Sequence, residues 1–313
     1  METVELAYDV YECQDTHSDL LPIVVLHGMF WNKYMYRELG SKLCQKTKRK
    51  VYCLDLRNHG KSPFTEKFDI YVICDDVKRF LSEHGIKKAT LITHSFSCTV
   101  SYLIAIQQFD CSETIFNFPE KFQVSNSVSL KYTCFQPEVV EKLVMVDSFP
   151  FNDFYEDLKG GFVPEVVAQN RVLNTLDPKM SLKEARMKLN KLADLGPKVK
   201  ELFYKKLVHD LTKDDGKFKW KTNTDFLNKE ILEENTLKLK KEGFSNHEIL
   251  FVRCQDSYNI TDSRFEEILK FCPNSRLITI EDTTHLLLLE KVDEFVNAVT
   301  DFLGPVCNSE DRI

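Results

Sequence analysis

Three segments of the 313-residue chain carry residue types and spacings that could do nucleophilic chemistry. The first is Leu91-Ile92-Thr93-His94-Ser95-Phe96-Ser97. An apolar strand ends here and a helix begins, so Ser95 would stand on a sharp strand-to-helix turn with its hydroxyl above a sheet. The positive end of that helix favours negative charge developing beside it. Such turns usually carry glycine two residues before and after the serine. Here Thr93 and Ser97 take those places, and they are expected to crowd the turn and slow the reaction. The second segment, Val24-Val25-Leu26-His27-Gly28-Met29-Phe30, is a strand ending in His-Gly. Gly28 lets the backbone pass close to the nucleophile, so the N–H of Met29 could pair with that of Phe96 as two oxyanion donors. His27 reads as a structural turn residue. The third segment is Thr283-Thr284-His285, between a late strand and the last helix. His285 is the expected general base. The chemistry would be two-step acyl transfer, needing no metal or organic cofactor.

A carboxylate must hold the imidazole of such a base in its productive tautomer. Two aspartates qualify. Asp147 follows an apolar run at Leu143 to Val146, and Asp256 follows another at Ile249 to Arg253. Both would lie at C-terminal strand ends, where the sites of open α/β sheets gather. The residues alone leave both open.

The elements that must position these groups are legible as short apolar runs bounded by turn signals. They are Ile23 to Leu26, Val51 to Leu56, Ala89 to Thr93, Leu143 to Val146, Ile249 to Arg253 and Leu277 to Ile280. Brief, branched and almost wholly apolar runs suit parallel strands buried on both faces. Alternation near Val4 to Tyr11 suggests an antiparallel edge strand. Ile73, Val77, Phe80 and Leu81 share a helical face before Gly85, and Val292 to Leu303 carries a second apolar stripe. Strand–helix alternation predicts an α/β protein with a mostly parallel central sheet flanked by helices. Residues 152–246 break the rhythm, are rich in Lys and Glu, and open a helix with the capping box Ser181-Leu182-Lys183-Glu184. They read as a helical cap inserted into a core of 1–151 and 247–313, and 108–136 reads as an atypical insert.

Composition narrows the function classes. A net charge of −6 and a pI of about 5.8 imply no basic face for nucleic acid. No apolar run reaches the roughly 18 residues of a membrane span. The ten cysteines form no C-x-x-C pair and no zinc spacing, so they read as free thiols of a reducing compartment. Met1 to Glu5 has neither a signal core nor an Arg-rich amphipathic pattern, which predicts a cytoplasmic protein.

His27-Gly28-Met29-Phe30, the run Asp55-Leu56-Arg57-Asn58-His59-Gly60-Lys61-Ser62-Pro63, and His94-Ser95 resemble the α/β-hydrolase superfamily. More narrowly, the Asp55–Pro63 run, Asp147-Ser148-Phe149-Pro150 and Gly216 to Asn223 resemble the abhydrolase domain-containing 11 family and its single-domain esterase relatives. The likeness covers nearly the whole chain except 108–136. It implies an α/β-hydrolase fold and hydrolysis of acyl esters, including acylglycerols, by Ser95, Asp147 and His285. The family keeps an aspartate at the Asp147 position, which favours Asp147 over Asp256. The resemblance also implies a small-molecule or lipid ester as substrate, association with a 2-oxoacid dehydrogenase complex, and a mitochondrial setting as the alternative to the cytoplasm. The departures are the two missing glycines, Trp31-Asn32 in place of Gly-Ser, and Thr284 in place of the glycine before the base. They motivate an alternative in which the chain is a weak or inactive member acting as a binding partner.

Overall fold

The computed structural model describes residues 2–106, 136–150, 170–193, 207–224, 226–227 and 244–305. Seven strands form one sheet: β1 (Tyr8–Tyr11), β2 (Ile23–Leu26), β3 (Val51–Leu54), β4 (Ala89–His94), β5 (Val140–Val146), and two late strands at Ile249–Cys254 and Ser275–Ile280. Between β5 and the late pair lies a two-stranded hairpin, β6 (Leu211–Asp214) and β7 (Lys217–Trp220), so the late strands are β8 and β9. The order across the large sheet is β1-β3-β2-β4-β5-β8-β9, with β1 antiparallel and every other pair parallel. The chain leaves β2 for β3 on one side and then returns to place β4 on the other. Between the C-terminal ends of β2 and β4 is therefore the topological switch point, where open α/β sheets place their ligands.

Because strand side chains alternate, each apolar run feeds two faces. Ile23 and Val25 of β2 pack with Leu39 and Leu43 of helix α1 (Arg37–Thr47). Val24 and Leu26 pack instead with Ile73, Val77, Phe80 and Leu81 of α2 (Ile70–Glu83) and with Leu103 and Ile104 of α3 (Ser97–Ala105). The expected C-terminal helix spans Val292–Leu303 and buries Phe295, Val296 and Val299 beside α1. The alternating N-terminal stretch forms a strand only over Tyr8–Tyr11, and β5 begins at Val140, earlier than its apolar core suggests.

In the 152–246 segment, Leu182–Ala193 forms a helix. Its predicted capping box is in place: Ser181 Oγ accepts from Glu184 N at 3.2 Å, and a Glu184 carboxylate oxygen accepts from Ser181 N at 2.7 Å. The β6–β7 hairpin is the element that reading this segment as helical missed. Its signal is Asp215-Gly216, at φ +47° and +74°, a pair that supplies the two left-handed residues of a tight hairpin turn. Phe218 and Trp220 point into a small cluster with Leu189 and Leu207, while Lys217 and Lys219 face solvent. The expected insert at 108–136 lies, except for Gln136, outside the described residues.

One polar contact holds the frame under the site. Arg57 reaches Asp76 on α2 with Nε to Oδ2 at 2.6 Å and Nη2 to Oδ1 at 2.7 Å, and both side chains are buried. Asp76 Oδ1 also accepts from Val4 N at 2.8 Å, tying the N-terminal segment to the same pair. Removing one partner of a buried pair strands the other charge, which costs about 3–5 kcal/mol. Asp76→Ala should therefore lower stability by that order in urea unfolding. An unchanged midpoint would show that the pair adds nothing.

Candidate active site

Ser95 sits between β4 and α3 with φ +56°, in the left-handed region that non-glycine residues rarely occupy. Its N–H extends the sheet ladder to Val146 O at 3.0 Å, and Asp147 N–H does the same to Val252 O at 2.8 Å. The ladder thus pins both residues at the tips of neighbouring strands. The Ser95 hydroxyl is buried and has no hydrogen-bond partner among the described residues. A buried polar atom left unpaired is costly and calls for an explanation, and the Ser148 hydroxyl nearby in the fold is in the same state.

Gly28 lies against this serine. A Cβ on Gly28 would stand 3.1 Å from Ser95 Cβ and 3.2 Å from His94 Nδ1, so a side chain there would push against the serine turn by a few tenths of an ångström. Met29 follows in the turn after β2, and Phe96 caps α3. Phe30 takes φ +62°, and its N–H donates to His59 Nε2 at 3.1 Å. His59 Nδ1 donates to Arg57 O at 2.8 Å. His27 is occupied in the same way, with Nδ1 donating to Gly28 O at 2.7 Å and Nε2 accepting from Leu56 N at 2.9 Å. Both imidazoles shape the Gly28–Phe30 turn. The buried Asp55 carboxylate holds the neighbouring loops by accepting from Lys33 N at 2.7 Å, Lys61 N at 2.8 Å and the Lys33 ammonium.

His285 follows β9 and is part-buried. Its Nδ1 donates to Asp147 Oδ2 at 2.7 Å. Asp147 adopts φ +48°, and its Oδ1 accepts from Cys254 N at 3.2 Å. The Cys254 thiol points at Oδ2 from 3.4 Å, and burial pushes that thiol up to about 12, so it remains a donor. Burial works to raise the Asp147 carboxyl, but the bonds from His285, Ser257 and the Cys254 N–H outweigh it and hold the group down at about 2. The other candidate acid, Asp256, is exposed, and no bond joins it to His285.

The residue before the serine has a part that its sequence position did not reveal. His94 is buried, and its Nε2 donates to the carbonyl oxygen of His285 at 2.9 Å. Its Nδ1 then accepts from the Tyr36 hydroxyl at 3.1 Å. The chain Tyr36–His94–His285 anchors the base's backbone to the serine turn. Burial, with a smaller contribution from His285, pushes His94 down to about 3. An unfolded histidine titrates near 6.5. Between these values the unfolded chain takes a proton that the folded chain refuses, so stability falls as the pH falls through 6.5. From pH 7 to pH 5 the loss from His94 alone should be about 2 kcal/mol. Urea unfolding at the two pH values measures it, and equal or greater stability at pH 5 would contradict this.

The missing elbow glycines are accommodated by hydrogen bonds. Thr93 Oγ1 lies 2.9 Å from Ser101 Oγ on α3 and 3.4 Å from Val144 O on β5. Ser97 Oγ accepts from His94 N and lies 3.0 Å from Leu26 O on β2. The two hydroxyls thus stitch β4, α3, β2 and β5 together. Thr284 is similarly fixed, its N–H donating to Glu290 at 2.7 Å. Among the described residues, no cluster of His, Cys, Asp and Glu is placed to hold a metal ion, and no helix is long and apolar enough to cross a membrane.

A family model for the alpha/beta hydrolase fold matches residues 22–110, the stretch from β2 through the serine turn to α3. Together with the seven-stranded sheet and its switch-point site, this makes the chain an α/β-hydrolase-fold protein. It is 27% identical over 297 residues to the sn-1-specific diacylglycerol lipase ABHD11 of Mus musculus, spanning 94% of this chain and 84% of that one. Ethanol acetyltransferase 1 of Wickerhamomyces anomalus is 25% identical over 329 residues, or 96% and 74% of the two chains. Among solved structures, a marine microorganism esterase superposes with a TM-score of 0.71 at 19% identity, covering 96% of this chain and 100% of that one. The enol-lactonase from Burkholderia xenovorans superposes with a TM-score of 0.62 at 15% identity, covering 96% and 97%. At these identities the solved structures speak for the fold alone.

Proposed function

We propose that the protein is a serine hydrolase of carboxylic esters in which Ser95 is the nucleophile, His285 the general base and Asp147 the acid that orients it. The observation that supports this most is the 2.7 Å bond from His285 Nδ1 to Asp147, at the tip of the strand next to the one that ends in Ser95, whose buried hydroxyl has no hydrogen-bond partner among the described residues. With Nδ1–H committed to the carboxylate, Nε2 carries the lone pair and can take a proton. His285 Nε2 accepts the Ser95 Oγ proton as the oxygen attacks the ester carbonyl. The N–H groups of Met29 and Phe96 hold the oxyanion. Collapse expels the alcohol, which takes its proton from His285. Water, deprotonated by His285, then resolves the acyl-enzyme to the carboxylic acid.

Phe96 and Phe149 closely follow Ser95 and Asp147 in the chain, Met29 and Phe30 follow Gly28, and all four belong to one apolar cluster. An ester with an apolar acyl chain suits them, and the printed activity of the mouse relative, a diacylglycerol lipase, makes acylglycerols the first class to try. The test is release of fatty acid from a diacylglycerol and of alcohol from a short-chain synthetic ester, by wild type and Ser95→Ala. Turnover by wild type that the variant lacks supports the reading. Ethanol added to the assay shows whether the acyl group passes to water or to an alcohol, the distinction between the lipase and acetyltransferase relatives. No turnover of either ester by folded wild type would count against the proposal.

A further inference from the structure

Away from the site, Cys13 and Cys44 meet where β1 leaves the sheet and α1 ends. The contact has a simple origin. Gly40 on α1 packs on the ring of Tyr11, the last residue of β1, and a Cβ there would fall 2.5 Å from Tyr11 Cε2. Only glycine lets the helix come this close. Cys44 is one helical turn beyond Gly40, about 6 Å along the axis. Cys13 is two residues beyond Tyr11, about 6.6 Å further along an extended chain. The second contact therefore lands beside the first.

Thr16 closes the arrangement. Its Oγ1 accepts from Cys13 N at 2.8 Å, donates to Cys13 Sγ at 3.4 Å, and lies 3.6 Å from Cys44 Sγ. Cys13 Sγ is 3.6 Å from the Cys44 carbonyl oxygen. The turn is fixed on its far side by His17 N donating to Lys48 O at 3.0 Å, and α1 ends with Lys48 N donating to Cys44 O at 2.9 Å. One hydroxyl thus spans two sulfurs, one in the turn just after β1 and one on α1. The thiols also differ. Cys13 is the one described cysteine that is not buried, whereas Cys44 is buried. The Thr16 hydroxyl pulls the Cys13 thiol below the ordinary thiol range, with Cys44 and the Lys48 ammonium acting in the same direction, while burial pushes Cys44 up. An accessible, acidified thiol beside a buried partner is the arrangement of an attacking and a resolving cysteine.

We propose that Cys13 and Cys44 form a reversible dithiol–disulfide pair that reacts with hydroperoxides and clamps β1 to α1 when oxidised. The Cys13 thiolate attacks one oxygen of the hydroperoxide. An S–O bond forms, the O–O bond breaks, and the other oxygen leaves as an alcohol, or as water from hydrogen peroxide. Cys13 is then a sulfenic acid. The Cys44 sulfur attacks the Cys13 sulfur to form the S–S bond, and its proton leaves with the departing hydroxide as water. Two thiols lose two electrons in all, and one hydroperoxide is reduced.

The test is differential alkylation and peptide mapping of the full chain before and after hydrogen peroxide. The expected result is a loss of about 2 Da from the intact mass, a Cys13–Cys44 cross-linked peptide, a rise of several degrees in Tm because the link shortens the unfolded chain, and reversal by dithiothreitol. Cys44→Ser should block the cross-link and leave Cys13 as a sulfenic acid captured by dimedone. Cys13→Ser should abolish both. Folded wild type that keeps both thiols alkylatable at peroxide doses that oxidise free cysteine would overturn the proposal, as would a cross-link that survives in Cys13→Ser.

Discussion

Replacing Asp147 with Asn is expected to lower kcat on a short-chain ester by about four orders of magnitude while leaving the fold intact. The side chain is held by His285 Nδ1, by Cys254 N, by the Cys254 thiol and by Ser257. An amide of the same shape keeps the packing. It can also present N–H to Nδ1, which selects the tautomer whose proton sits on Nε2, so the base is lost while the geometry remains. The matching change at Asp256 should alter turnover by less than a factor of about two, since exposed side chains away from the chemistry rarely matter more. The comparison is decided by kcat for both variants with Tm as the control for folding. If Asp256→Asn abolished turnover and Asp147→Asn spared it, the orienting acid would lie on the later strand.

The second large effect combines activity and stability with opposite signs. Ser95→Ala should lower kcat by about six orders of magnitude, as removal of a nucleophile does where base and nucleophile act as a unit. The same change should leave Tm unchanged or raise it slightly. The left-handed φ of +56° is as strained for alanine as for serine, so backbone strain cancels. What differs is the hydroxyl, which is buried without a partner among the described residues. Deleting an unsatisfied buried polar atom removes a cost of about 1–3 kcal/mol. A clear fall in Tm would mean that the hydroxyl has a structural bond in solution, and that its isolation here is not a sign of function.

Most of the sheet was legible because its strands are nearly continuous apolar runs, a pattern that only burial on both faces explains. The hairpin at Leu211–Trp220 was not, because its inward residues are few and its alternate positions are lysines that read as a solvated helix face. The turn Asp215-Gly216 carried the information. At the candidate site, the positions of Ser95, Gly28 and His285 just after strand ends were readable from context. The residues alone left the acid open between Asp147 and Asp256, and only the family resemblance favoured Asp147. β5 and β8 are neighbours, so both aspartates stand at adjacent strand ends, and only the path of the chain decides which carboxylate meets the imidazole. The role of His94 was hidden for the same reason, as its carbonyl partner lies on His285, far along the chain. Thr93 and Ser97 read as obstacles because side-chain size is visible in a sequence, whereas the partners of their hydroxyls on α3, β5 and β2 are not.

The most direct test of the central claim is covalent. A fluorophosphonate reacts with a serine only when a base has activated it and an oxyanion site accepts the phosphoryl oxygen, so it reports nucleophile, base and oxyanion donors together. The wild-type protein should take up one equivalent of probe, the adduct should map by mass spectrometry to the peptide bearing Ser95, and Ser95→Ala should take up none. Well-folded wild type that remains unlabelled, or an adduct on a different residue that persists in Ser95→Ala, would contradict the assignment of Ser95 as the nucleophile.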